Sequence, residues 1–256
     1  MAARLRRSWD VLVVLARSDM QVRYGRGTFR ILKWLLDPLA ALGVYLILIV
    51  LLLDRSEAAP GLSLACAIVP FQLVATTMSN ALQSVSLRSS IIVNMRFPRM
   101  LIPASSLVTE SVAFTATLVL LPVMMIIYGV EPTASVLWVP VALAVTAAFA
   151  IALAYPSALV GIWYPELQPF AASFVRTLFF IAPGLVALDA VTGTTRELLP
   201  INPLTGIFES FRDALLYGHS PAAWELLVPL GAALALLALV LPLYRRESEQ
   251  LAKLVG

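Results

Sequence analysis

Two ionisable residues lie inside long apolar runs, where charge is expensive, and they are the first candidates for chemistry. Glu110 and Arg176 each lie six residues after the start of such a run, about 9 Å along a helix. Leaving either charge alone in lipid costs about 2.5 kcal/mol or more. We therefore predict that they form an intramembrane charge pair. In the alternative, Arg176 extends to the membrane interface and Glu110 bonds a hydroxyl.

The sequence carries no recognisable catalytic or metal-binding motif. It has a single cysteine, Cys66, in an apolar run, and a single histidine, His219. A zinc-hydrolase HExxH pair and a Gly-rich phosphate loop ending in Lys-Ser/Thr are both missing from the sequence. We expect no catalytic residue, no metal site and no cofactor in this chain.

The amino-acid composition indicates that these candidate residues belong to a membrane protein. Of the 256 residues, 60% are hydrophobic and 13% are charged, against about 45–50% and about 25% in soluble domains. The mean hydropathy is +0.90. A soluble enzyme and a disordered chain are both excluded.

Six stretches are long and apolar enough to cross a bilayer as helices. They show no ten-residue alternation of the kind that marks barrel strands. The fold class is therefore predicted to be an all-α integral membrane protein with six transmembrane helices. The predicted spans are residues 35–53, 61–82, 104–128, 134–162, 170–188 and 224–244.

Basic residues are unequally distributed between the two sides that six spans create. Fourteen of the 18 precede the first span, lie between the second and third, or follow the last. This bias predicts that both termini are cytoplasmic. It also accounts for the net charge of +3 without nucleic acid. The loop with Glu166 is an exception, because it is predicted to be cytoplasmic yet has no basic residue. We predict a single transmembrane domain over residues 1–256, with a cytoplasmic interfacial helix 1–34, a six-helix membrane domain 35–244 and a cytoplasmic tail 245–256.

Residues 5–20 form an amphipathic helix on a helical wheel, typical of a helix lying in the membrane interface. Its apolar side carries Leu5, Trp9, Leu12, Val13, Ala16 and Met20. A basic run follows: Arg23, Tyr24, Arg26, Arg30 and Lys33. One interpretation is simple anchoring; the other is a substrate entrance that meets a phosphate-bearing lipid.

Two further segments are too short to cross. Residues 88–103 mix apolar and basic residues, which predicts either a compact cytoplasmic helix that rests on a soluble partner or an ordinary connecting loop. In residues 200–218, Asn202 is a good N-cap, Pro203 a good first helical residue and Gly218 a good C-terminal stop. About 22 Å of helix cannot span the membrane, so we predict an external, re-entrant or interfacial helix that caps or gates something.

The order of these motifs resembles the type-2 ABC exporter permeases that move bacterial surface polysaccharides, namely O-antigen, capsule and teichoic acid exporters. The resemblance covers nearly the whole chain. It is carried by Asp19…Arg23-Tyr24, Trp34…Pro38, Asn94-Met95-Arg96-Phe97-Pro98-Arg99, Phe179-Phe180-Ile181-Ala182-Pro183, Asn202-Pro203-Leu204…Phe211-Arg212 and Tyr244-Arg245-Arg246-Glu247. Tyr164-Pro165-Glu166-Leu167 departs from it, because the family often has an Arg-Asp pair there.

The resemblance implies a homodimer in the bacterial cytoplasmic (inner) membrane, with two separate ATPase subunits that bind ATP and Mg. It implies that a lipid-linked glycan is exported between the two permease subunits. It implies three sites in this sequence: ATPase coupling by Asn94, Met95, Arg96, Phe97, Pro98 and Arg99; an external gate with Asn202, Pro203, Phe208, Phe211 and Arg212; and a channel lined by Tyr45, Phe170, Phe174, Phe179 and Phe180.

Other classes of function stay open. An exporter of the same architecture could carry a drug or a small lipid. A membrane enzyme acting on polyprenyl-phosphate lipids would need Asp, Glu or His clustered at one membrane face, and no such cluster is apparent in the sequence. A secondary transporter commonly shows an internal repeat, and none is detected.

Overall fold

A computed structural model describes the backbone of residues 2–24, 36, 39–40, 43–44, 47, 59–87 and 98–254. Side chains are described for these residues except 2–8, 21–24, 85–86, 169, 171–172, 176 and 248–254. Within the described ranges every regular element is helical. Several predicted features lie outside them: most of span 35–53 with Tyr45, the coupling residues Asn94, Met95, Arg96 and Phe97, and the basic residues Arg26, Arg30 and Lys33.

The α-helices, numbered along the described chain, are α1 (Ala2–Tyr24), α2 (Pro60–Leu87), α3 (Leu101–Leu118), α4 (Leu120–Tyr128), α5 (Val139–Trp163), α6 (Gln168–Ile181), α7 (Thr194–Leu198), α8 (Pro203–Arg212) and α9 (Ala223–Leu254). Short 3₁₀ turns connect several of them, and a π-helical turn, Asp213–Tyr217, directly continues α8.

Among the described residues, four helical stretches are long and apolar enough to cross a membrane: Pro60–Ser84, Leu101–Tyr128, Ala134–Trp163 and Ala223–Glu247. They match the second, third, fourth and sixth predicted spans. The molecule is therefore a multi-pass membrane protein. Leu101–Tyr128 is interrupted at Val119, because Pro122 has no N–H to donate to the carbonyl four residues earlier.

The fifth predicted span, 170–188, is not one continuous helix. Helix α6 ends at Ile181, and Ala182 has an extended backbone with ψ 153°. The cause is local, since Pro183 disfavours helical geometry in the residue before it. The residues that follow the proline are also mostly apolar, so hydropathy places the end of the span at residue 188, seven residues beyond the end of the helix.

Helix α2 is at the centre of the described bundle and packs against α3, α4, α5, α6 and α8. Its contact with α5 is very close at Gly161, where a Cβ would stand 1.8 Å from the Leu82 carbonyl oxygen. Glycine is needed there so that the two backbones can approach. Helix α9 packs on α5 and α8, and α1 packs on α3.

The predicted helix at the N-terminus is present as α1. Leu15 and Ala16 are buried, whereas Trp9 and Val13 of the predicted apolar side are exposed. Ala16 belongs to the predicted apolar side and Leu15 does not, so the contact with α3 coincides with that side only in part. Arg23 and Tyr24 end this helix, and their side chains lie outside those described.

Candidate functional site

Helix α8 forms as its sequence signals predict. The Asn202 side chain caps it by accepting a hydrogen bond from the backbone N–H of Leu204 at 3.0 Å. Pro203 is its first residue, and after the π-helical turn Gly218 stops the helix with φ +70°. Phe208 and Phe211 are fully buried. This helix is therefore enclosed by the bundle instead of lying on its surface.

The polar side of α8 is also buried, which the wheel analysis did not predict. Arg212 has no exposed surface, and its Nη1 donates to Glu209 Oε1 at 2.6 Å. The same nitrogen donates to the Pro183 carbonyl at 3.0 Å. A buried ion pair is tolerated when further hydrogen bonds satisfy both partners, and this one is so satisfied.

The other bonds of this pair reach two distant segments. Arg212 Nη2 donates to the Gly184 carbonyl at 3.2 Å, and Nε donates to the Ser63 carbonyl at 3.3 Å. Glu209 Oε1 accepts the backbone N–H of Leu188 at 3.0 Å. We call Glu209 and Arg212 the α8 ion pair. Its planar guanidinium fork ties α8 to the start of α2 and to the chain that follows α6.

A group of acidic side chains surrounds the end of α8. The pKa of Asp213 is raised because the carboxyl is partly buried and because Glu209 and Asp189 add negative charge, while His219 and Glu225 act in the opposite direction. Glu225, at the start of α9, is buried. No motif in the sequence indicates this group, because its members are separated by up to 36 positions.

Aromatic residues predicted to line a channel divide into two environments. Phe179 is buried and its ring lies 5.1 Å from Phe71 and 5.8 Å from Phe208. Phe180 is exposed. Phe170 and Phe174, 69% and 60% exposed, line an apolar cavity of about 490 Å³ between α2, α5, α6 and α9. A channel role stays a prediction for all four.

At the other end of the bundle, two tyrosines hold the end of the predicted coupling segment. Tyr155 of α5 donates its hydroxyl to the Met100 carbonyl at 3.3 Å. Tyr244 of α9 donates to the Arg99 carbonyl at 3.5 Å, and the two rings meet edge to face at 5.3 Å. We call these two residues the tyrosine anchor. Sequence spacing gave no signal for Tyr155.

Glu110 has a partner that the sequence analysis did not name. Its Oε1 accepts a hydrogen bond from Asn80 Nδ2 of α2, and both residues are buried. An amide donor reduces the cost of burying a carboxylate. The Arg176 side chain is outside those described, so pairing between Glu110 and Arg176 stays a prediction.

These long apolar helices around an enclosed, capped short helix define a multi-pass helical membrane protein. The chain is similar to O-antigen export system permease proteins RfbA, one from Klebsiella pneumoniae with 26% identity over 211 residues, covering 82% of each chain. Another, from Myxococcus xanthus, is 25% identical over 247 residues, covering 95% of this chain and 94% of the relative. No protein-family model matches the chain. The resemblance to polysaccharide exporter permeases is confirmed by these similarities.

Proposed function

We propose that the chain is the permease subunit of an ATP-driven exporter that moves a lipid-linked polysaccharide across the bacterial cytoplasmic membrane. The observation that carries this proposal is similarity along nearly the full length to a permease named for O-antigen export. The multi-pass helical fold is compatible with it.

In this proposal, energy comes from separate subunits. The chain has no Walker-type loop, so ATP and Mg bind to separate ATPase subunits. Two copies of the chain work with two of these subunits. The segment with Asn94, Met95, Arg96, Phe97, Pro98 and Arg99 docks on the ATPase. A movement of that segment passes to α5 and α9 through the tyrosine anchor. Tyr244 donates to the carbonyl of Arg99, the last residue of the segment, and Tyr155 donates to the carbonyl of the next residue, Met100.

Helix α8 serves as the external gate. Its apolar side packs in the bundle through Phe208 and Phe211, and the α8 ion pair holds the chain after α6. Gate opening therefore moves α8 together with residues 183–188 and does not release it alone. The cap at Asn202 and Pro203 fixes where this unit begins.

The glycan path in this proposal runs along exposed aromatic rings. Phe170, Phe174 and Phe180 offer flat apolar faces on α6, which suit the apolar faces of sugar rings. Phe179 supports Phe180 through a ring contact at 5.7 Å. Tyr45 completes the proposed lining. The basic run Arg23, Tyr24, Arg26, Arg30 and Lys33 receives the phosphate of the lipid carrier.

The proposal is tested by co-purification with candidate ATPase subunits, followed by ATPase and glycan-transport assays in vesicles. Arg96→Glu and Phe97→Ala should release the ATPase or uncouple it while leaving membrane insertion intact, because docking surfaces depend on charge and apolar contact. Arg196→Glu is the matched control, because this residue lies on the predicted opposite side. Recovery of no ATPase partner would refute the exporter, and unchanged transport in both docking variants would refute the coupling role.

A further inference from the structure

A groove of about 810 Å³ runs between α1 and α3. Trp9, Val13 and Met20 line it from α1, and Leu107 and Val112 line it from α3. Ala16 of α1 also lines the groove, and Leu15 and Ala16 are both buried where α1 packs on α3. The groove thus lies along the contact between these two helices.

The dimensions of the groove suit one hydrocarbon chain of one leaflet. The lining residues extend from Trp9 to Met20 on α1 and from Leu107 to Thr115 on α3. At 1.5 Å per residue these stretches measure about 16 Å and about 12 Å. Half of a bilayer's hydrocarbon core is about 15 Å thick. Since Leu101–Tyr128 is apolar enough to cross the membrane, the groove opens onto lipid.

The chemistry of the lining selects the occupant. An ordered water in the groove would need two to four polar partners. The Thr115 hydroxyl already donates to the Ser111 carbonyl at 3.0 Å, and most other lining groups are apolar. The lining therefore favours hydrocarbon over water. Arg17 is charged, unlike the other lining residues that the structure describes, and its side chain is exposed. A guanidinium beside an apolar groove, with Trp9 in the same wall, complements an anionic phosphate joined to an acyl chain.

We propose that this groove binds a bilayer phospholipid with an anionic headgroup. One acyl chain lies between α1 and α3, and the headgroup phosphate bonds Arg17. The site does not depend on which cargo the proposed exporter carries. It gives α1 a specific lipid ligand in addition to general adsorption at the interface.

Trp9 provides a direct probe, because bromine on a lipid chain quenches indole fluorescence on contact. The full chain is prepared with Trp9 as its single tryptophan, by replacing Trp34, Trp138, Trp163 and Trp224 with Phe, and is reconstituted in phosphatidylcholine vesicles. A small fraction of dibrominated phosphatidylglycerol or dibrominated phosphatidylcholine is then added. A variant that keeps only Trp138 reports ordinary bilayer contact.

We expect brominated phosphatidylglycerol to quench Trp9 at about one fifth of the concentration that brominated phosphatidylcholine needs, the ratio equivalent to ~1 kcal/mol per cation near an anionic surface. Arg17→Gln should bring the two concentrations together, whereas Arg246→Gln, an exposed arginine on α9, should not. Ser111→Phe should fill the groove and reduce quenching by both lipids.

Three results would overturn the site. Equal quenching of Trp9 by the two lipids in the unaltered groove would mean ordinary lipid contact. Protection of Trp9 from both would mean that protein, such as a second copy of the chain, covers the groove. Selectivity that survives Arg17→Gln would remove the assigned headgroup contact, and this exposed substitution does not endanger folding.

Discussion

At the residue scale, Arg212 connects three separate segments of the described chain. Its bonds join α8, the start of α2 and the chain after α6. A charge with no exposed surface is tolerated only while every partner is in place. The residue therefore matters for the shape of the proposed gate, whatever its contribution to transport.

Replacing Arg212 with Met should destabilise the protein strongly, by about 3–5 kcal/mol, because Glu209 is left as an uncompensated buried charge. Thermal unfolding in detergent measures this effect. Arg196→Ala is the control, since its pair with Asp189 at 2.7 Å is exposed and should contribute about 0–1 kcal/mol. Similar losses in the two variants would contradict the role of the α8 ion pair.

Asp213 should make stability depend on pH. Burial and the neighbouring carboxylates raise its pKa above the ordinary 3.8. Its stabilising contribution is therefore complete below that ordinary value and is lost as pH rises through the folded-state pKa. Asp213→Asn should flatten the fall of the melting temperature with rising pH. At the acidic end, where Asp213 is neutral in both states, the variant and the parent should agree; parallel curves with a constant offset would contradict the prediction.

The limits of sequence reasoning are clear at Arg212. The cap at Asn202, the proline after it and the stop at Gly218 are local signals, and the structure has all three. Apart from Glu209 on the same helix, the partners of Arg212 are 28, 29 and 149 positions away. A helical wheel predicts which residues share a side of a helix, but it cannot indicate what that side contacts.

At the element scale, the approach of α8 to α9 is set by a glycine. A Cβ on Gly206 would stand 2.7 Å from the backbone oxygen of Glu225, closer than real contacts permit. Helix α8 therefore packs directly on α9, and its residues Thr205 and Phe208 are fully buried. The end of α6 follows similar local chemistry: Pro183 was visible in the sequence, but hydropathy alone extended the span past it.

Gly206→Ala should force the two helices apart and destabilise the protein by about 1–3 kcal/mol, the usual range for overpacking. Gly231→Ala on α9 is the matched control, because a Cβ there meets nothing within 4 Å. That change should be neutral or stabilise by up to about 1 kcal/mol, since alanine favours helix. Chemical unfolding measures the change in the free energy of unfolding for both variants. Equal changes would show that the close approach of α8 to α9 does not matter.

At the scale of the whole molecule, the topology is open to a direct test. Cys66 is buried, so the unmodified chain provides the background for labelling with a membrane-impermeant maleimide. Thr195→Cys should be labelled in intact spheroplasts, because the charge bias places it outside. Glu247→Cys, near the end of α9, should be labelled only after permeabilisation. The reverse pattern would invert the predicted orientation.

The long apolar helices differ in what surrounds them. Of the most apolar window of Pro60–Ser84, 78% is buried inside the protein, whereas the corresponding figure for Ala223–Glu247 is 17%. A side chain that faces lipid need only be apolar, but one that faces other side chains must also have the right size. Random mutagenesis should therefore retain many interchangeable aliphatic residues in α9 and few in α2. Over evolutionary time, α9 should accumulate exchanges among aliphatic residues, whereas the sequence of α2 should change little.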